Sequence, residues 1–146
     1  MERAVIAVVL ALVVLGVAAL AQRRGRTDAP ARTGYSAPEQ IDRRDFVRPD
    51  APWLVAVFTS ATCDSCHGVW ERARHVESPQ VAVEEIEVGA RKDLHDRYAI
   101  DAVPTTVIAD AAGVVRRHFI GPVTATDLWA AVAEAREPGS TPDACH

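Results

Sequence analysis

Residues 53–66 read WLVAVFTSATCDSC and hold the clearest strand pattern of the chain together with two of its three cysteines. The first half, Trp53–Thr59, is a short apolar run rich in β-branched and aromatic residues, and Pro52 precedes it. These features are typical of a buried strand. The second half places Cys63 and Cys66 where the next element begins. The stretch therefore predicts a strand that leads into a C-x-x-C pair at the start of a helix.

Strand and helix patterns alternate through the segment that follows. Thr124 with Asp127 three residues later forms a capping box, which predicts the start of the last helix. The order βα, βα, β-hairpin, α predicts an α/β fold in which a central mixed β-sheet is flanked by helices. The expected elements are a helix from about Cys63 to Glu77, a strand Val81–Val88, a short helix Arg91–Ala99, strands Thr105–Ala109 and Val114–Ile120, and a helix beginning near Thr124 or Thr126.

The N-terminal region differs in composition from the rest. Residues 4–21 are uncharged and almost wholly aliphatic, and this length reaches that of a membrane-spanning helix. A cleaved signal peptide is the alternative, because Ala19-Leu20-Ala21 resembles a cleavage site; the run is long for a signal peptide, so we favour a retained anchor. The expected boundaries are a transmembrane anchor at 1–21, a flexible linker at 22–38, a folded domain at 39–137 and a disordered tail at 138–146.

Composition excludes several classes of protein. The chain has 146 residues, with 16 Lys and Arg against 20 Asp and Glu, so it lacks the basic balance of a nucleic-acid-binding protein. We expect no nucleic-acid partner and a monomeric state. Three cysteines are too few for a disulfide-stapled secreted scaffold. The cysteines are therefore interpreted as reactive groups.

The spacing of Cys63 and Cys66 fits thiol–disulfide chemistry. A cysteine at a helix N-terminus lies at the positive end of the helix dipole, which stabilises the thiolate, and the thiolate is the attacking form. Cys63 is therefore the expected nucleophile. Cys66 lies on the same side of the helix three residues later, within reach of the first sulfur. It can resolve a mixed disulfide between Cys63 and a substrate.

The segment 39–137 resembles the thioredoxin family. The C-x-x-C follows a strand that ends in FTSAT, the sequence Ala102-Val103-Pro104-Thr105 precedes the next strand, and Gly121 precedes the last helix. The resemblance implies a thioredoxin-like fold and a thiol–disulfide oxidoreductase that acts on protein substrates and an electron donor or acceptor. It implies no cofactor beyond a redox-active Cys63–Cys66 disulfide. It also implies that Pro104 is a cis-proline and that Val103 pairs its backbone with the substrate beside the cysteines, where Thr62 also lies.

Several positions depart from the pattern of thioredoxin itself. Thr62 replaces the tryptophan usual before the first cysteine, and Asp64-Ser65 stands where Gly-Pro is usual. Val57 occupies the position of a buried aspartate that is thought to accept a proton from the second cysteine. Asp64 disfavours the thiolate and so favours the disulfide, whereas His67 has the opposite effect when protonated. Asp64, Ser65 and His67 are thus the expected redox-tuning residues, and the balance favours a reductant.

The location of the domain relative to the membrane stays open. Arg23, Arg24 and Arg26 follow the apolar run and only Arg3 precedes it, so the positive-inside rule favours a cytoplasmic domain at the cell membrane. In the family that the chain resembles, membrane-anchored members usually have their domain on the extracytoplasmic side, and this resemblance favours that side instead.

Three alternatives compete with the redox interpretation. Cys63 to His67 also forms a C-x-x-C-H sequence, which is the attachment pattern of c-type haem. A structural metal would need a second closely spaced ligand pair, which is missing, so we predict no metal site. The third alternative is a redox-inactive thioredoxin-like module that binds or assembles a partner at the membrane. The histidines and terminal residues weighed as metal ligands are His67, His75, His95, His118, Cys145 and His146.

Two further groups of residues receive structural interpretations. The aromatic residues Trp53, Phe58, Trp70 and Trp129 are interpreted as core residues, and the carboxylates Glu84, Glu85 and Glu87 as a solvated strand edge.

Overall fold

The computed structural model describes residues 34–140. The predicted anchor at 1–21, most of the predicted linker and the last residues of the predicted tail lie outside the described residues. Within residues 34–140, no helix has the length and apolar character needed to cross a membrane.

Four strands form one mixed sheet in the order β2-β1-β3-β4. The central strand β1 and its edge neighbour β2 are parallel, whereas β1 with β3 and β3 with β4 are antiparallel. This confirms the predicted mixed sheet flanked by helices. The strands are β1 (Trp53–Thr59), β2 (Val81–Glu87), β3 (Thr105–Asp110) and β4 (Val115–Ile120); the helices are α1 (Asp64–Ala73), α2 (Lys92–Arg97) and α3 (Ala125–Arg136).

The helix ends follow local sequence signals. Helix α1 is continued by a 3-10 turn over Arg74–Val76, so the predicted helix to Glu77 is α-helical only to Ala73. Helix α3 begins as the capping box predicts, because the Asp127 backbone N–H donates to the Thr124 hydroxyl at 3.1 Å.

Alternation along β1 divides the core between the two faces of the sheet. Leu54, Ala56 and Phe58 pack with α2 and the chain before β1, whereas Val55 and Val57 pack with α1 and α3. All five side chains are fully buried. Since β1 is central and covered on both faces, its continuous apolar run follows directly from its position.

The segment before β1 carries a buried guanidinium that the sequence pattern does not reveal. Arg43, which lies in a 3-10 turn, donates to the carbonyl oxygens of Ala51 at 2.9 Å and Asp110 at 3.0 Å. Burial lowers the pKa of Arg43. These bonds join the chain before β1 to the end of β3.

A second polar cluster holds α2 against the same segment. The Tyr98 hydroxyl accepts from the Asp42 backbone N–H at 3.0 Å and donates to the Asp45 carboxylate, which Arg97 also contacts at 3.3 Å. Burial and the hydrogen bond to Asp45 raise the pKa of Tyr98 to about 12.

The predicted β3–β4 hairpin is confirmed, and its turn depends on a glycine. Gly113 has a φ of +80°, and a Cβ there would lie 2.0 Å from the Ile41 carbonyl oxygen. The Gly113 carbonyl in turn accepts from the Ile41 backbone N–H at 2.9 Å. After the turn, β4 exposes Arg116, Arg117 and His118 at the edge of the sheet.

Adjacent threonines on β3 differ in hydrogen bonding. The Thr105 hydroxyl donates to the Ala102 carbonyl at 2.8 Å. The Thr106 side chain is fully buried, and its hydroxyl has no hydrogen-bond partner among the described residues. Thr106 pairs with Val57 of β1, so it lies on the sheet face that α1 and α3 cover.

One of the aromatic predictions is wrong. Trp129 is 49% exposed on α3, whereas Phe58 is fully buried and Trp53 and Trp70 pack against the core as predicted. Helix α3 buries Leu128, Ala131 and Val132. Because each residue turns the helix by about 100°, the position after Leu128 points away from that face.

Candidate active site

The cysteine pair lies where β1 leads into α1. The chain leaves the sheet after Thr59 and turns, with the Cys63 backbone N–H donating to the Ser60 carbonyl at 3.1 Å. Cys63 then takes an extended conformation as the N-cap residue, and α1 begins at Asp64. Cys63 therefore stands at the N-terminal end of α1, where the helix dipole stabilises a thiolate; in the disulfide form its side chain makes no capping hydrogen bond.

The two cysteines are joined and differ in exposure. Cys63 and Cys66 form a disulfide, with their Cα atoms 5.4 Å apart. Cys66 is only 2% exposed, whereas Cys63 is partly exposed. An incoming thiol or disulfide therefore reaches Cys63 more readily than Cys66, and this asymmetry matches the roles that the sequence predicts for the two residues.

The predicted redox-tuning residues surround Cys63 on the solvent side. Asp64, Ser65 and His67 are all exposed. The Ser65 hydroxyl lies 3.7 Å from the Cys63 sulfur. Asp64 belongs to the first turn of α1, where a carboxylate is favourable to the helix dipole and competes with a Cys63 thiolate for the same N–H groups.

A cleft of about 250 Å³ opens beside the disulfide. It lies between the end of β1, the end of β2 and one side of α1. Its walls combine both cysteines with two carboxylates, an imidazole and an indole. The lining residues are Thr59, Ser60, Ala61, Cys63, Cys66, His67, Trp70, Glu85 and Glu87.

Glu87 fixes the loop that leads to Cys63. Its carboxylate accepts from the backbone N–H groups of Ala61 at 3.1 Å and Ala90 at 3.0 Å. Backbone N–H groups of Gly89 and Ala61 lower the pKa of Glu87. The carboxylate therefore joins the active-site loop to the end of β2 while it is ionised.

The other carboxylates of β2 point to opposite faces of the sheet. Glu84 accepts from the Val47 backbone N–H at 2.7 Å and pairs with Arg91 at 3.6 Å. Glu85 accepts from the Thr59 hydroxyl at 2.9 Å on the side of the cleft. The expected solvated edge agrees with the position of β2 at the edge of the sheet and the exposure of Glu85, but each carboxylate also has a defined hydrogen-bond partner.

The predicted substrate-binding residues lie at the same end of the sheet as the cysteines but outside the cleft. The Val103–Pro104 peptide bond is cis, the geometry that the family resemblance implies. The Pro104 carbonyl accepts from the Gly121 backbone N–H at 2.7 Å. Since Thr105 pairs with Phe58, Pro104 stands at the same end of the sheet as the cysteines. Thr62 is exposed in the loop before Cys63, and none of Thr62, Val103 and Pro104 lines the cleft.

Other parts of the described chain offer no comparable chemistry. Within residues 34–140, no three His, Cys, Asp or Glu side chains are grouped so that they could hold a metal ion. A larger cleft of about 460 Å³ lies at the opposite end of β1, beside Trp53 and Arg116, and has no cysteine in its walls.

The fold is similar to that of solved thioredoxins. A mutant thioredoxin from Halobacterium salinarum NRC-1 matches with a TM-score of 0.55 at 21% identity, over 70% of this chain and 95% of that chain. Mitochondrial thioredoxin 3 from Saccharomyces cerevisiae matches with a TM-score of 0.50 at 20% identity, over 59% of this chain and 81% of that one. No protein-family model and no curated protein matches the chain.

Proposed function

Since the chain folds like a thioredoxin and carries a Cys63–Cys66 pair at the start of α1, we propose that it is a membrane-tethered thiol–disulfide oxidoreductase that acts on protein substrates. The observation that supports this most strongly is the difference in exposure between the two joined sulfurs. Cys63 is partly exposed at a helix N-terminus, and Cys66 is buried behind it. This arrangement suits attack by Cys63 and resolution by Cys66.

The reaction proceeds through a mixed disulfide. The Cys63 thiolate attacks one sulfur of a substrate disulfide, and the other substrate sulfur leaves as a thiolate and takes up a proton. Cys66 then loses its proton and attacks Cys63, which releases the second substrate sulfur and forms the Cys63–Cys66 disulfide. Val103, next to the cis-proline Pro104, supplies backbone groups that can pair with an extended substrate, and Thr62 lies on the approach to Cys63.

Cysteine variants of the full chain test these roles. Cys63→Ser should abolish reduction of a protein disulfide, and Cys66→Ser should accumulate a mixed disulfide with the substrate. Cys145→Ser is the matched control and should retain activity. Disulfide reduction that survives Cys63→Ser would contradict the assignment of the nucleophile.

The equilibrium reduction potential of the pair decides the direction of electron flow. We propose a reductant, which predicts a value near the thioredoxin level of about −270 mV in a full chain carrying Cys145→Ser; a value near about −120 mV would indicate an oxidant instead. If no reversible two-electron couple exists, the pair is not redox-active. The chain would then be a thioredoxin-like module that binds a partner.

The membrane tether is proposed from the apolar residues 4–21. It would confine the domain to protein substrates and electron donors at one membrane surface. The full chain should sediment with membranes and stay there in high salt, whereas a chain lacking residues 1–21 should be released. Labelling of Cys63 in intact cells by a membrane-impermeant thiol reagent would report on which side the domain lies.

A further inference from the structure

Resolution of a mixed disulfide requires a proton acceptor for Cys66. Cys66 attacks as a thiolate, but its residue is 2% exposed, so its thiol has little direct access to bulk water. The proton must therefore leave through the cleft beside the sulfur pair. The acceptor should be an ionisable group in the walls of that cleft.

Strand β1 provides no such acceptor beneath α1. On the sheet face covered by α1, β1 presents Val57 and then Thr59, neither of which takes up a proton at neutral pH. In the parallel register, Val57 pairs with Glu85 and Thr59 with Glu87. Paired residues project to the same face of a sheet, so the neighbouring strand brings two carboxylates to the position where β1 has none.

Glu87 is poorly suited to accept the proton. Its oxygens already accept from the backbone N–H groups of Ala61 and Ala90, and these bonds stabilise the ionised form. His95 from α2, on the other side of β2, adds to this stabilisation. Protonation of Glu87 would have to break the contacts that hold the active-site loop.

Glu85 has the geometry of an acceptor. Its Oε1 is fixed by the Thr59 hydroxyl at 2.9 Å, and the residue lines the cleft together with both cysteines. Besides Glu85, Glu87 and the cysteines, the ionisable side chain that lines the cleft is His67. Glu85 and His67 are both exposed, but within residues 34–140 only Glu85 of these two is held by a side-chain hydrogen bond.

We propose that Glu85 accepts the proton of the Cys66 thiol during resolution of the mixed disulfide, with Thr59 as the positioning residue that orients its carboxylate. This inference rests on the proposed oxidoreductase function. In the step, the S–H bond of Cys66 breaks and its proton passes through the cleft to Glu85. The Cys66 thiolate forms the bond to Cys63, the bond from Cys63 to the substrate sulfur breaks, and the substrate leaves as a thiolate that takes up a proton. The cysteine pair is oxidised by two electrons and the substrate is reduced by two.

The two steps can be separated with an aromatic disulfide probe, dithiobis(nitrobenzoate). The reduced full chain, with Cys145→Ser, releases one coloured thiolate when Cys63 attacks and a second when Cys66 resolves. Glu85→Gln keeps the shape of the side chain and removes its capacity to take up the proton. Glu84→Gln is the matched control, because it removes a carboxylate from the other face of the same strand.

We expect Glu85→Gln to slow the second release about tenfold or more near neutral pH and to leave the first release unchanged. The rates of the second release in Glu85→Gln and in the parent chain should become equal at about pH 10, where a thiol ionises without a proton acceptor. Thr59→Val should slow the second release by a smaller factor, Glu85→Asp should restore most of it, and Glu84→Gln should follow the parent chain. A merely structural role would not give this convergence at high pH.

Three results would overturn the assignment of Glu85. These are an unchanged second release in Glu85→Gln near neutral pH, an equal loss in Glu84→Gln, and a pH-dependent loss in His67→Gln in place of Glu85→Gln. If the parent chain itself shows no second release, the proposed oxidoreductase function fails together with the inference. That outcome is distinct, because it appears before any change at Glu85.

Discussion

The unpaired hydroxyl of Thr106 predicts that removing it stabilises the domain. Thr106 is fully buried on β3 beside Val57, and its hydroxyl has no partner among residues 34–140. Its neighbour Thr105 is equally buried, but its hydroxyl donates to a carbonyl at 2.8 Å. The substitutions Thr106→Val and Thr105→Val replace each hydroxyl by a methyl group of similar size, so they should change the free energy of unfolding in opposite directions.

The magnitudes follow from the cost of a buried hydroxyl. A polar group without a partner costs about 1–3 kcal/mol, whereas a satisfied hydrogen bond contributes about 0.5–1.5 kcal/mol net. Thr106→Val should therefore stabilise by about 1–2 kcal/mol, and Thr105→Val should destabilise by about 1 kcal/mol. For a domain of about 100 residues, 1 kcal/mol corresponds to a shift of about 5 °C in Tm.

Thermal unfolding followed by circular dichroism, with the disulfide oxidised, measures both variants against the parent chain. Thr106→Val should raise Tm by about 5–10 °C, and Thr105→Val should lower it by about 5 °C. A decrease in Tm for Thr106→Val that matches the decrease for Thr105→Val would refute the reasoning. It would mean that the Thr106 hydroxyl makes a stabilising hydrogen bond in solution.

Three further predictions concern the loop, the α2 cluster and the hairpin turn. Because backbone N–H groups lower the pKa of Glu87, its contribution to stability is present above about pH 4 and is lost as the pH falls through the lowered value; urea unfolding should show a weaker acid dependence in Glu87→Gln. Because burial and Asp45 raise the pKa of Tyr98 to about 12, ultraviolet absorbance should show it titrating there. Its contribution to the free energy of unfolding should be present below about pH 10 and be lost as the pH rises further, and Tyr98→Phe should remove this alkaline loss of stability. Gly113→Ala should cost at least about 2 kcal/mol, because it combines an unfavourable φ with a clash against backbone. Gly139→Ala, with a φ of +86° and open space around the Cβ, should cost only about 1 kcal/mol in the same unfolding assay.

The sequence predicted the main elements of the fold because each of them has a local signal. The continuous apolar run of β1 indicates a strand covered on both faces, and the structure places it at the centre of the sheet. The short connection between β3 and β4 predicts a hairpin, and the capping box at Thr124 predicts the start of α3. Each of these signals is local, so neighbouring residues suffice to specify it.

The sequence did not predict features that depend on contacts between distant segments. Arg43 is buried because its guanidinium binds the carbonyl groups of Ala51, before β1, and of Asp110, at the end of β3. No local sequence pattern indicates that these two segments lie close together. His95 is buried for a similar reason, with its Nε2 atom 2.9 Å from the Ile86 carbonyl and its ring against Phe58.

The candidate site also combines a part that local sequence predicts with a part that depends on distant contacts. The C-x-x-C spacing was sufficient to predict the paired cysteines, because three residues of helix bring their sulfurs to one side. The roles of Glu85 and Glu87 required the parallel register between β1 and β2, which joins residues more than 20 positions apart in the chain. In the predicted strand Val81–Val88, the alternation of apolar and polar residues breaks at Glu84-Glu85, and this break is the local signal that the carboxylates are unusual.

The exposed edge of β4 has a consequence for association between copies of this chain. An unpaired strand edge is a template for edge-to-edge aggregation. In the described part of the chain, the segment before β1 is hydrogen-bonded to the beginning of this edge, where the Val115 backbone N–H donates to the Glu39 carbonyl. Beyond it, Arg116, Arg117 and His118 are exposed in succession. Antiparallel pairing of two such edges centred on Arg117 would place guanidinium groups opposite each other, and this repulsion disfavours intermolecular sheet formation.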